Sequence, residues 1–370
     1  ACAKRAVPPQ AMELISFGAP AYADSECMLG TPATAANDGS FASQWVSCAE
    51  PSPKKPAWVA YDLSAVPAEK RERVLLIWYN NDTSPYDHTL ITAVESPGHN
   101  LPGAYTVEIN SAPGGKLPQS GWVTAVTAGK NTYHSRQHIF QMKGSNWVRL
   151  SVIEADGKEG ARKAAFNMDV YDASRGTDEN FIFYGDSITQ MAMHHMPMKG
   201  KIPSFPFAEF IRDKFPDRFP AQENGGTGYM KSSDAADNIE KWLAMFPGKY
   251  VGLSYGTNDA WSGISEEEFY KNYRKMTEAV ISLGKIPMIP TIPWAPGVEE
   301  IKRNAPALNR AIRRIYSEFP QVIKGPDFWE IYKNDESMIS RDGVHPAWPE
   351  GLATYRKEWA ETVLREVYGK

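Results

Sequence analysis

The first half of the chain is built from short runs rich in β-branched and aromatic residues. AWVAYDL begins at Ala57, RVLLIWY at Arg73, AYTVEIN at Ala104, NWVRLSVIEA at Asn146 and FNMDVYD at Phe166. Clusters of Pro, Gly, Asn and Asp separate these runs, with no helical period between them. Strands at that spacing predict an all-β jelly roll or sandwich. Arg175-Gly176-Thr177-Asp178 is a polar joint, and beyond it the rhythm changes. Apolar runs at Phe181 (FIFYG), Tyr250 (YVGLSYG), Lys285 (KIPMIPTI) and Gln321 (QVIKGPD) now alternate with amphipathic stretches. The plainest helix opens with Ser265 and Glu268 as a capping box, carries Phe269, Tyr273, Met276 and Val280 on one face, and stops at Gly284. Two further helices are expected over Ala307 to Phe319 and Leu352 to Val367. Strands alternating with helices predict a three-layer α/β unit around a parallel sheet. The expected domains are therefore 1–176, all-β, and 177–370, α/β.

In such a sheet, sites form beyond the carboxyl ends of the strands. Three polar clusters fall there: Gly185-Asp186-Ser187, the segment Asn224-Gly225-Gly226-Thr227-Gly228, and Gly256-Thr257-Asn258-Asp259. The middle one reads as too glycine-rich for the interior of a strand or helix. A fourth, Asp342-Gly343-Val344-His345-Pro346, precedes the last expected helix. Together they contain the parts that acyl transfer by serine requires. Ser187 supplies a hydroxyl, and His345 an imidazole to take its proton. Asp342 supplies a carboxylate to orient and stabilise that imidazole. The N–H groups of Ser187 and Gly226 and the amide of Asn258 are candidate donors to an oxyanion.

These blocks, in this order across the whole second half, resemble those of the SGNH (GDSL-type) esterase and lipase family. The resemblance implies an SGNH hydrolase, flavodoxin-like fold. It also implies Ser187 as nucleophile, His345 as base, Asp342 as its orienter, and Ser187, Gly226 and Asn258 as the oxyanion hole. The glycine block can also be registered on Gly225 or Gly228, and a Ser–His dyad without Asp342 is an alternative. Trp261, Trp294 and Trp348 each follow a strand-end or catalytic segment, where a ring serves equally as a sugar platform or as packing. His194-His195 lacks a third ligand at suggestive spacing, so a surface or cleft-wall role is expected there.

The run from Ala33 to Ser47 followed by PAWVAYDLS resembles the opening of discoidin-like, galactose-binding-type domains. That resemblance implies a β-sandwich of the kind attached to carbohydrate-active enzymes, with a structural calcium in the loop after Ala35. Carried over by position, its ligands are the Ala35 carbonyl, Asp38, Ser40, Ser43 and Asn167, the last replacing a carboxylate and so weakening the site.

Composition narrows the partners. Of 370 residues, 42% are hydrophobic and 23% charged, with a net charge of −4. No long basic run invites nucleic acid, and no apolar run reaches the roughly 20 residues of a spanning helix. Cys27 and Cys48 bracket one short segment and are candidates to pair. Ala1-Cys2 fits the remnant of a lipoprotein signal and, equally, a free thiol. The expectation is a secreted, periplasmic or cell-surface serine esterase, with no cofactor for catalysis, removing acetyl or other short acyl groups from a polysaccharide. The alternatives are a lipase, thioesterase or aryl esterase of the same family, or a non-catalytic carbohydrate-binding protein.

Overall fold

The structure, a computed structural model, describes residues 7–27, 29–40, 43–80, 100–131, 133–156, 163–193 and 206–370. Two compact units emerge: the described residues between 12 and 177, and residues 178–370 together with 7–11. In the second unit Arg218 Nη1 donates to the Pro9 carbonyl.

In the first unit, nine strands among the described residues form two antiparallel sheets. They are β1 (Ala21–Ala23), β2 (Trp45–Val46), β3 (Ala57–Asp62), β4 (Arg73–Tyr79), β5 (Leu101–Asn110), β6 (Val123–Ala128), β7 (Ser135–Gln141), β8 (Trp147–Asp156) and β9 (Ala165–Asp172). The sheets run β1-β3-β8-β5-β6 and β2-β9-β4-β7. Alternate residues meet between them. Val59, Tyr61, Val107 and Leu150 pack with Val74, Leu76, Trp78, Met168 and Val170. The buried Tyr61 hydroxyl donates across that core to the Met168 carbonyl. Cys27 and Cys48 are joined by a disulfide. Strands β6 and β7 lie at sheet edges, β6 largely exposed, so neither carries the apolar run that marks a central strand.

The second unit holds five parallel strands: β10 (Asn180–Gly185), β11 (Ala221–Gly226), β12 (Tyr250–Ser254), β13 (Ile286–Ile289) and β14 (Ile323–Lys324). Their order, β11-β10-β12-β13-β14, is the flavodoxin-like arrangement. The helices are α1 (Ser187–Ala192), α2 (Phe207–Lys214), α3 (Ser232–Leu243), α4 (Thr257–Ser262), α5 (Glu266–Ser282), α6 (Glu299–Glu318), α7 (Phe328–Asn334) and α8 (Glu350–Glu366). On one face Phe181, Phe183, Tyr250 and Met288 pack with apolar residues of α1, α2, α7 and α8. On the other, Tyr184 meets Trp242 of α3, and α3, α5 and α6 pack in succession.

Two expectations are corrected. The glycine-rich segment ends a buried strand, β11, rather than forming a loop. Glycine is needed there because the neighbours come close. A Cβ on Gly226 would fall 2.2 Å from the Gln190 nitrogen of α1. The helix expected from Ala307 begins earlier, at Glu299, and contains Pro306. Proline forfeits an N–H bond, but Ile301, Ala305, Leu308, Ile312 and Ile315 keep one buried face continuous through it. Helix α5 begins after Ser265, whose hydroxyl accepts from the Glu268 N–H.

The end of β12 is held from below. Buried Tyr273 of α5 accepts the Tyr255 N–H at 2.9 Å and donates to the Tyr255 carbonyl at 2.8 Å. Tyr273→Phe leaves that buried N–H without its partner and is expected to cost about 1–3 kcal/mol in denaturant unfolding. A loss near zero would show that the strand end does not depend on this bond.

Candidate active site

Strand β10 lies between β11 and β12, with Gly185 in register with both Gly226 and Ser254. Whatever follows Gly185 is therefore flanked by whatever follows its two neighbours. Ser187 opens α1 directly beyond β10, and Asp186 caps that helix by accepting the Ile188 N–H at 2.9 Å. Asn258 lies in the first turn of α4, beyond β12. Gly256, just before it, has φ of 140°, a conformation reserved for glycine.

Ser187, His345 and Asp342 form one hydrogen-bonded chain. Ser187 Oγ is 2.8 Å from His345 Nε2, and His345 Nδ1 is 2.7 Å from Asp342 Oδ2. An ionised carboxylate only accepts, so Nδ1 carries the proton and Nε2 is left to accept from the serine. The other Asp342 oxygen receives Ser340 Oγ, Val344 N–H and His345 N–H. Partial burial pushes this carboxyl up. Those hydrogen bonds outweigh the burial and hold it well below the usual carboxylate range.

The other candidate donors stand on either side. The Gly226 N–H donates to Asn224 Oδ1 at 3.0 Å. The Asn258 amide donates to the Met230 carbonyl at 3.1 Å, which uses one of its two protons. The loop between these blocks is tied at both ends. Thr227 N–H reaches the Gly185 carbonyl, and Ser232 gives its N–H and hydroxyl to Asp259. Asp259 is fully buried, and its role was not legible from the GTND block alone. Trp261 and Trp348 are exposed. Trp294 instead packs edge-on to Trp329 and donates to Glu336. His194, His195 and Cys2 lie outside the described residues.

Residues 183–348 match the GDSL-like Lipase/Acylhydrolase family. The chain is accordingly a carboxylic ester hydrolase. No curated protein sequence matches it. Among solved structures, the hydrolase half is similar in fold to an acetylxylan esterase from Geobacillus stearothermophilus, at 18% identity over 52% of this chain and 95% of that one (TM-score 0.42). It is also similar to a lipolytic G-D-S-L protein from Veillonella parvula, at 20% identity over 50% and 96% (TM-score 0.38). A chitosan-binding module from a Paenibacillus chitosanase/glucanase is similar at 19% identity over 43% and 98% (TM-score 0.29). No helix among the described residues is long and apolar enough to cross a membrane.

The candidate calcium loop is closed by protein hydrogen bonds. Asp38 accepts from Ser40 N–H and Ser43 Oγ, and the Asn167 amide donates to the Ser40 and Ser43 carbonyls. Yet Asn167 Oδ1 and Asp169 Oδ1 are buried and find no hydrogen-bond partner among the described residues. Burial, and then the Asp38 charge, push Asp169 up to about 8. Open, buried oxygens of this kind suit a hard cation. Among the described residues no three His, Cys, Asp or Glu side chains are arranged around a metal position, so carbonyl and hydroxyl oxygens would have to complete the set.

Asp186 behaves unlike Asp342. Burial raises it to about 7, offset by the Ile188 N–H and the His345 charge and reinforced by Asp259. A carboxyl whose folded value exceeds the ordinary 3.8 favours folding while protonated, and that contribution is lost as pH rises through about 7. Asp186→Asn keeps a competent cap and removes the titration. Its melting temperature relative to the parent is expected to improve between about pH 5 and pH 8. A difference independent of pH would show that Asp186 is not the buried acid.

Proposed function

We propose that this ester hydrolase removes acetyl or other short acyl groups from a polysaccharide through an acyl-enzyme on Ser187. The observation that carries the reading is the unbroken chain Ser187–His345–Asp342, standing between Gly226 and Asn258 at the carboxyl end of the sheet. Ser187 Oγ attacks the ester carbonyl carbon while its proton passes to His345 Nε2. The imidazolium is stabilised by Asp342, which stays ionised. The oxyanion is met by the Ser187 N–H, by the Gly226 N–H in exchange for its bond to Asn224, and by the second proton of the Asn258 amide. The C–O bond to the sugar then breaks as Nε2 returns the proton to the leaving oxygen. Water attacks the acyl-enzyme, gives its proton to Nε2, and the acid departs as Ser187 recovers its own.

Exposed Trp261 and Trp348, three residues after Asn258 and His345, support a sugar-bearing substrate, and a β-sandwich unit in the same chain as a hydrolase supports a carbohydrate-binding role for the first half. The Cys27–Cys48 disulfide favours an oxidising compartment, hence secretion.

The reading is tested on a panel of acetylated polysaccharides by acetate release. Ser187→Ala is expected to lose about 10⁴–10⁶ in turnover with the fold intact. Asn258→Ala should lose about 10²–10³, mainly in kcat. Near-parental turnover in a verified Ser187→Ala preparation would remove the acyl-enzyme. Release only from long-chain lipid esters would move the substrate class.

Calcium in the loop of Ala35, Asp38, Ser40, Ser43 and Asn167 is a separate proposal. With few charged ligands, binding is expected only at about 10⁻⁴–10⁻³ M. Such calcium should raise the melting temperature of the first unit, reversibly with chelator, and Asp38→Ala should abolish the shift. No shift in the parent protein would mean that the Asn167 amide alone closes the loop.

A further inference from the structure

Tyr229 stands where the backbone discourages a large side chain. Thr227 to Met230 form a turn, with the Met230 N–H on the Thr227 carbonyl. Tyr229 is the third residue of that turn and has φ of 59°. A turn that needs positive φ at its third position ordinarily places glycine or asparagine there. Here the glycine, Gly228, comes one residue earlier, and a bulky aromatic takes the left-handed position. The side chain is 67% exposed. The turn itself cannot drift. Thr227 is bonded to Gly185, the Met230 carbonyl receives the Asn258 amide, and Ser232 is clamped by Asp259.

Its position in the chain repeats elsewhere. Tyr229 comes three residues after Gly226, Trp261 three after Asn258, and Trp348 three after His345. In the hydrolase unit these are the described aromatic residues most open to solvent, Trp261 at 52% and Trp348 at 62%. Asn258 and Trp261 share α4 at a spacing of three, so they lie on one face of it. Three segments that carry groups of the candidate site thus each carry an exposed ring. Strain at an exposed, firmly tethered side chain is characteristic of ligand clamps.

We infer that Tyr229 is a specificity-determining residue that stacks on a sugar ring of the acylated carbohydrate beside Ser187. The inference rests on the esterase reading and assigns the substrate class to one side chain. A ring face suits the C–H face of a pyranose, and the aromatic surface, not the hydroxyl, carries the contact.

Two acetyl esters separate the outcomes: glucose pentaacetate, which has the ring, and ethyl acetate, which does not. Parent, Tyr229→Ala, Tyr229→Phe and Tyr229→Gly are compared on both. In the Ala and Gly variants kcat/KM for the sugar ester is expected to fall about tenfold more than for ethyl acetate, chiefly through KM, the ratio that about 1.4 kcal/mol of lost binding gives. Phe should restore the ratio to within about twofold. Equal losses on both esters, or a Gly variant that keeps the parent ratio, would overturn the inference and make Tyr229 a turn residue only. Parent activity on ethyl acetate alone would overturn it too. A parent inactive on both esters would fell the esterase reading itself, and this inference with it.

Discussion

The hydrolase unit depends on one constraint: β10 is paired on both sides by parallel strands whose ends lie level with its own. Gly185 is matched by Gly226 on one side and Ser254 on the other. Parallel pairing makes three loops leave the sheet in the same direction, and the register makes them leave at the same height. Ser187 therefore emerges between the glycine block and the Asn258 block without any further device. The absence of a Cβ at Gly226 lets α1 settle against β11, so the serine sits close beside the sheet edge. From the other end of the chain, α8 fixes the same helix through Arg356 Nε on the Ala192 carbonyl and Tyr355 on Thr189.

Around that frame the three acids have separate tasks. Asp342 is half-exposed and surrounded by donors, which keeps it charged beside the imidazole. Asp186 and Asp259 are buried, and burial raises both, Asp259 to about 6 despite its bonds from Ser232. The first faces the helix that carries the serine, the second fastens the loop that carries Tyr229. Charge is thus concentrated where proton transfer needs it and suppressed where position is what matters.

Much of this was legible beforehand because it is local. The capping box at Ser265, the stop at Gly284, and the period of Phe269, Tyr273, Met276 and Val280 are written within one helix and appear as α5. The central strands of both units coincide with their apolar runs. Local reasoning failed where burial comes from a distant partner. Ala221–Gly226 has no apolar signature, yet it is a buried strand because Tyr184, α1 and β10 surround it. The helix expected from Ala307 starts at Glu299, because its buried apolar face runs on through Pro306.

The sequence by itself determined the two-unit plan, the alternation of strand and helix in the second half, and the residue types able to perform acyl transfer in their order along the chain. Those depend on side-chain chemistry and on periods of two and 3.6, which a short window contains. Only the tertiary structure decided which residues meet. The His345 ring reaches Ser187 across 158 positions, Asp259 finds Ser232, Cys27 joins Cys48, and the Gly226 N–H is taken by Asn224. Each depends on strand order and on what else competes for the same donor. Neither is encoded in any one segment, because both arise only when distant segments have closed on one another.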